Sequence, residues 1–194
     1  MRRLTSNTIF LFLILLISSC SKKSEYRDAI PQDASVVISL SMDKIVQKSG
    51  INEDSGKALV ERISNALKSG LGGDSYKHIE HILKDPSASG ISFKDNIYLF
   101  SCSSSNLLGF VAKLDDDDDF NSFIELLNKE GVSSDIHDGD RCKWAKIGTL
   151  FCAFNNGTLM MLSNGSDDSS GIKETLMRYM RQEKEKSFVS TPYF

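Results

Sequence analysis

No apolar run in the chain is long enough to cross a bilayer. The longest, Ile9 to Ile17, has nine residues; as a helix it rises about 14 Å, against a hydrocarbon core of about 30 Å. An excess of basic charge is missing too: 23 Lys and Arg stand against 26 Asp and Glu among 194 residues. That balance argues against a nucleic-acid partner. There is no G-x-S-x-G elbow and no cysteine with a histidine beside it in sequence. Phosphate-binding glycine patterns are missing as well, since "SGLGGDS" (69–75) lacks the lysine and preceding strand of a P-loop. No repeat of 20–50 residues is visible. Without a local catalytic signature, the expectation is a protein that is not an enzyme and carries no cofactor.

What the short apolar run does fit is an export signal. Arg2 and Arg3 precede it, and the small residues Ser18 and Ser19 follow it, directly before Cys20. Ile17-Ser18-Ser19-Cys20 resembles a relaxed bacterial lipobox, in which the cysteine is acylated by fatty chains such as palmitate and becomes the first mature residue. At about 0.8 kcal/mol per buried methylene, several acyl chains on Cys20 anchor a protein almost permanently. The expected organisation is a signal peptide over 1–19, the lipidated Cys20 with a polar tether over 20–33, and a folded domain over 34–194. Cleavage removes two arginines and no acids, leaving 21 basic against 26 acidic residues, a net charge of −5.

Three further cysteines remain: Cys102, Cys142 and Cys152. Export permits a disulfide, but an odd count leaves at least one thiol unpaired. All three sit in apolar, strand-like surroundings, which favours burial as small hydrophobes.

Hydrophobic periodicity orders the rest. Val36, Ile38 and Leu40 alternate with Ser35 and Ser39 as in a half-buried strand. Ser41 can cap a short helix that stops at Gly50, with Leu40 and Ile45 as a hydrophobic staple. A second helix over 55–69 carries the stripe Leu59, Val60, Ile63, Ala66 and Leu67; a third starts at Asp74 and ends before Asp85-Pro86. Strands follow over 96–101 and 107–114, then a helix over 118–129 with Phe120, Phe123, Ile124 and Leu127 on one side. Three strands over 141–147, 150–154 and 158–162 reverse at Gly148-Thr149 and at Asn156-Gly157, the latter a strong type I′ signal. A last helix spans 172–183. The order β-α-α-α-β-β-α-β-β-β-α implies the α+β class: a mainly antiparallel sheet with helices packed on one face. If Gly148-Thr149 is a two-residue turn, Ala145 opposes Cys152, and Cys142 and Cys152 point to opposite faces. A bridge from Cys102 to either stays open.

The stretches "SSCSKKSEYRDAIPQDASVVISL", "LGFVAKL", "CAFNNGTLMML" and "KSFVST" together resemble the N-terminal part of a group of uncharacterised lipoproteins of Bacteroides-type bacteria, classed as a domain of unknown function. The resemblance implies the cell envelope and offers no catalytic residues. Members of the group are longer, so the ending Ser190-Thr191-Pro192-Tyr193-Phe194 is expected to mark a chain cut short. Lipoproteins that such bacteria send to the cell surface often carry acids after the cysteine. Ser21-Lys22-Lys23-Ser24 here resembles retention on the periplasm-facing outer membrane.

Four features could carry chemistry, each with a plainer reading beside it. Asp115 to Asp119 could meet calcium, but acids at a helix start complement its free N–H groups. His78 and His81 stand i, i+3 on a helix without a third zinc ligand in sequence. Asp135, His137, Asp138 and Asp140 gather an imidazole and three carboxylates within six residues, the best local cluster for acid–base or metal work, yet Asp138-Gly139-Asp140 is also ordinary turn chemistry. Trp144 could stack a ligand, or could be core. The leading expectation is a lipid-anchored envelope protein that binds or assembles with an unknown partner. The alternatives are a glycan- or peptide-binding lipoprotein using exposed aromatics and, behind it, a metal-dependent hydrolase on the 135–140 cluster.

Overall fold

The structure is a computed structural model and describes residues 25–48, 58, 61, 62, 64, 65, 73–164 and 171–194. The signal segment, Cys20 and most of the helix expected over 55–69 lie outside the described residues. Within that helix Ala58, Glu61, Arg62, Ser64 and Asn65 are helical.

Seven strands make one sheet: β1 (Val36–Ser41), β2 (Asn96–Cys102), β3 (Leu107–Lys113), β4 (His137–Asp138), β5 (Lys143–Ile147), β6 (Leu150–Asn155) and β7 (Thr158–Asn164). Their order is β1-β2-β3-β7-β6-β5-β4, and every pair is antiparallel. Among the described residues four helices have bounds at both ends: α1 (Met42–Lys48), α2 (Gly73–Lys84), α3 (Asp117–Lys129) and α4 (Ile172–Met180). The α+β class and the antiparallel sheet agree with the sequence expectation, and β4, two residues long, is the strand that pattern reading misses.

Turn chemistry fixes the register. Asn156 and Gly157 both take positive φ (43° and 80°), as a type I′ turn demands, and set Asn155 opposite Thr158. At the β5–β6 reversal Gly148 has φ 57°, and Ala145 faces Cys152.

The helices are distributed over both faces of the sheet, not confined to one. On one face α4 buries Ile172, Leu176 and Met177 with Tyr98, Phe151, Met160 and Leu162. On the other, α3 buries Phe120 and Ile124 with Ala112, Cys152, Phe154 and Leu159, and the Phe120 and Phe154 rings meet edge to face at 5.0 Å. The physical reason lies in β6, where Phe151 to Phe154 are all buried. A strand apolar on both sides needs a layer over each. Burial of each large apolar side chain is worth about 1.5–3 kcal/mol.

Residues 25–33, expected in the tether, belong to the folded body. A 3-10 turn over Tyr26–Ala29 leads into Ile30, which is fully buried on the α4 face. The Gln182 side chain donates to the carbonyls of Asp28 (2.6 Å) and Ile30 (2.8 Å). Phe188 N–H donates to the Ile30 carbonyl, and Pro31 bridges Ser187. The opening segment is thus sewn to the residues that follow α4.

β1 also departs from expectation. Val36 and Ile38, read as inward, are 52% and 49% exposed, while Val37 packs against the α4-face cluster. Ile45, expected in the staple, is exposed as well.

Candidate functional site

One end of the sheet holds a groove of about 1320 Å³. Its walls come from the turn at Tyr26–Ala29, the start of β2, the end of β3, the first residues of α3, the β6–β7 turn and the residues at the end of α4. Nothing in the local sequence announces it, because its polar side chains are scattered: Glu25, Arg27, Asp95, Lys113, Asp115 to Asp118, Asn156 and Gln182.

Both cations in the groove are held against carboxylates. The Lys113 ammonium donates to Asp95 Oδ2 at 2.8 Å, and the Ser92 hydroxyl donates to the same oxygen at 3.0 Å. Asp115 stands 3.8 Å from the same ammonium. Lys113 holds the Asp95 carboxyl below its ordinary range, and Asp95 in return raises Lys113. Across the groove Arg27 bonds Glu25, which lowers the glutamate and raises the guanidinium. Tyr26 donates to the Asn96 carbonyl at 2.9 Å, and burial pushes its phenol well up. This is a surface for hydrogen bonding, with fixed charges of both signs.

The aspartate run serves the fold. Asp116 caps α3, accepting from the N–H groups of Asp118 and Asp119 at 2.9 Å each. Asp117 accepts from Gly157 N–H at 3.0 Å, clamping the β6–β7 turn to the helix start. Only the sequence proximity of these acids suggested calcium. Among the described residues no group of three His, Cys, Asp or Glu side chains is placed to hold a metal ion.

The 135–140 cluster does not converge either. Asp135 accepts from Asn128 (2.6 Å), and Asp140 accepts from Arg181 (2.6 Å). Asp138 lies opposite Lys143 in the β4–β5 pair, and His137 stacks on Trp144 with centroids 4.5 Å apart. Trp144 is half-buried; the Lys173 ammonium stands 4.4 Å from its ring centroid and Phe151 lies nearly parallel at 6.5 Å. A ligand stacking on this indole has to displace one of those neighbours. His78 and His81 line a separate cleft of about 590 Å³ between α2 and α3, with Asp119 and Glu125 on the opposite wall.

The three cysteines are free and buried. Cys102 and Cys142 belong to the α4-face core and Cys152 to the α3-face core, as the hairpin register requires. Burial raises all three thiols, Cys152 to about 12, which makes them poor nucleophiles.

Fold and groove together define an antiparallel α+β domain with a polar groove at one sheet end. The chain belongs to the family described as Domain of unknown function (DUF4836), whose model matches residues 26–194. No curated protein matches the sequence. Among solved structures the chain is similar to crystal forms I and III of TP0453, each at 9% identity with a TM-score of 0.46. The alignments cover 84% and 82% of this chain and 53% of that protein, so the chain spans about half its length.

Proposed function

We propose that this chain is a lipid-anchored protein of the bacterial envelope whose role is to bind or assemble with a partner, without catalysing a reaction. The observation that carries the reading is how near to Cys20 the described part of the folded body begins. Only residues 21–25 separate Cys20 from the turn at Tyr26–Ala29. Five extended residues reach roughly 17 Å at 3.3–3.6 Å each. A body acylated at Cys20 therefore stands against the bilayer instead of hanging from a long tether. The lipobox and the resemblance to Bacteroides-type lipoproteins support a periplasm-facing outer-membrane location.

The polar groove is the surface we assign to the partner. Its two cations are already paired and its carboxylates outnumber them, so an anionic ligand gains little there. A glycan or a peptide backbone, polar and near neutral, suits it better. The experiment is fractionation of cells making the Cys20→Ala chain. We expect the wild type in the membrane fraction and the variant released from it; a variant that still sediments with membranes contradicts the anchor.

A further inference from the structure

The sheet ends on β1 and β4, and the two edges are built differently. β4 has two residues, one of them Asp138. Short length and charge are the usual protections of an edge strand. β1 has neither: six uncharged residues without proline or bulge run in unbroken register along β2. Among the described residues none pairs with its outer side. Beside that edge lies an exposed apolar strip on the α3 face. Val36 and Ile38 begin it, and Leu99 (38% exposed), opposite Ile38, and Leu108 (61% exposed), opposite Ser101, extend it inward.

We propose that β1 pairs antiparallel with β1 of a second copy of this chain, about a two-fold axis at Ile38. The sequence Ser35-Val36-Val37-Ile38-Ser39-Leu40-Ser41 is complementary to its own reverse. That register sets Ser35 opposite Ser41, Val36 opposite Leu40, Val37 opposite Ser39 and Ile38 opposite itself. An isologous contact of this kind closes on two copies. The same register carries the second copy's α1, which starts directly after Ser41, past Ser35 toward the row holding Val36 and Leu108. Met42 packs on the α3-face cluster and Ile45 is 44% exposed, so each α1 brings an apolar side chain to the other copy's strip. Ordinary monomers expose apolar patches of roughly 300–600 Å². A stable interface buries about 800 Å² per partner, so the backbone edge and α1 must contribute the rest, and the dimer is a weak one.

The test uses one added cysteine per variant in the full chain, cross-linked with a short bismaleimide, with the wild type as background. Ile38→Cys should give a dimer band several-fold stronger than Leu150→Cys, which is exposed at 37% on the same face but beyond β7. A mixture of Val36→Cys and Leu40→Cys chains should cross-link more than either alone. The proposal is overturned if Ile38→Cys stays monomeric while a monomaleimide labels it, if Leu150→Cys cross-links equally, or if mixing adds nothing.

Discussion

Gly90 ties the α3 start to the segment after α2 through the absence of a side chain. Its φ is 78°, and a Cβ there would stand 2.3 Å from the Asp116 carbonyl oxygen and 2.6 Å from the Phe120 nitrogen. Its own carbonyl accepts from Asp115 and Asp116 N–H. Gly90→Ala should therefore lower stability by about 1–3 kcal/mol, read in urea as a lower midpoint at unchanged slope. The Asp95–Lys113 contact gives a pH signature. Because the folded carboxyl titrates lower than the unfolded one, its contribution is present above the ordinary aspartate pKa and is lost as pH falls through the lowered value. Lys113 is raised, so its share is present below the ordinary lysine pKa and is lost as pH rises past the raised value. Both side chains are about a third or more exposed. Asp95→Asn should then cost about 0.2–1 kcal/mol at neutral pH and progressively less as pH falls through the lowered aspartate value. Cys102, Cys142 and Cys152 should resist a thiol reagent in the native protein and react together after unfolding; fast native labelling of any of them contradicts their burial.

At the scale of elements, α3 depends on its cap. Asp116→Ala should destabilise the protein by about 0.5–2 kcal/mol, and thermal unfolding followed by circular dichroism measures it. This helix was legible in the sequence because Phe120 and Ile124 repeat at helical spacing behind a run of acids. The β6–β7 hairpin was legible because Asn156-Gly157 admits few turns. The burial of β1 was not. Alternation tells which side chains share a face, but Val36-Val37-Ile38 is apolar on both, and only the tertiary arrangement decides that Val37 is covered while Val36 and Ile38 stay in water. The two-faced layering was hidden in the same way: Phe151 to Phe154 in β6 form an apolar run without period, which carries no statement about which helix covers which side.

At the scale of the whole molecule, the sequence conceals the closure between its two ends. Residues 25–33 are polar enough to pass for a tether, yet Ile30 is buried and Gln182, more than 150 residues away, satisfies the carbonyls around it. The groove was illegible for the same reason, since its side chains come from five separated segments and no local motif joins them. The 135–140 cluster, which looked convergent in sequence, disperses because β4 and its neighbours point each member at a different partner. The described body begins at Glu25, a few positions after Cys20, and we propose that this sulfur holds it to a bilayer. Mass spectrometry of the N-terminal peptide from the membrane-extracted protein tests it most directly. The expected peptide begins at Cys20 and carries a thioether-linked diacylglyceryl group; a peptide that begins elsewhere, or a Cys20 without acyl mass, contradicts the anchor.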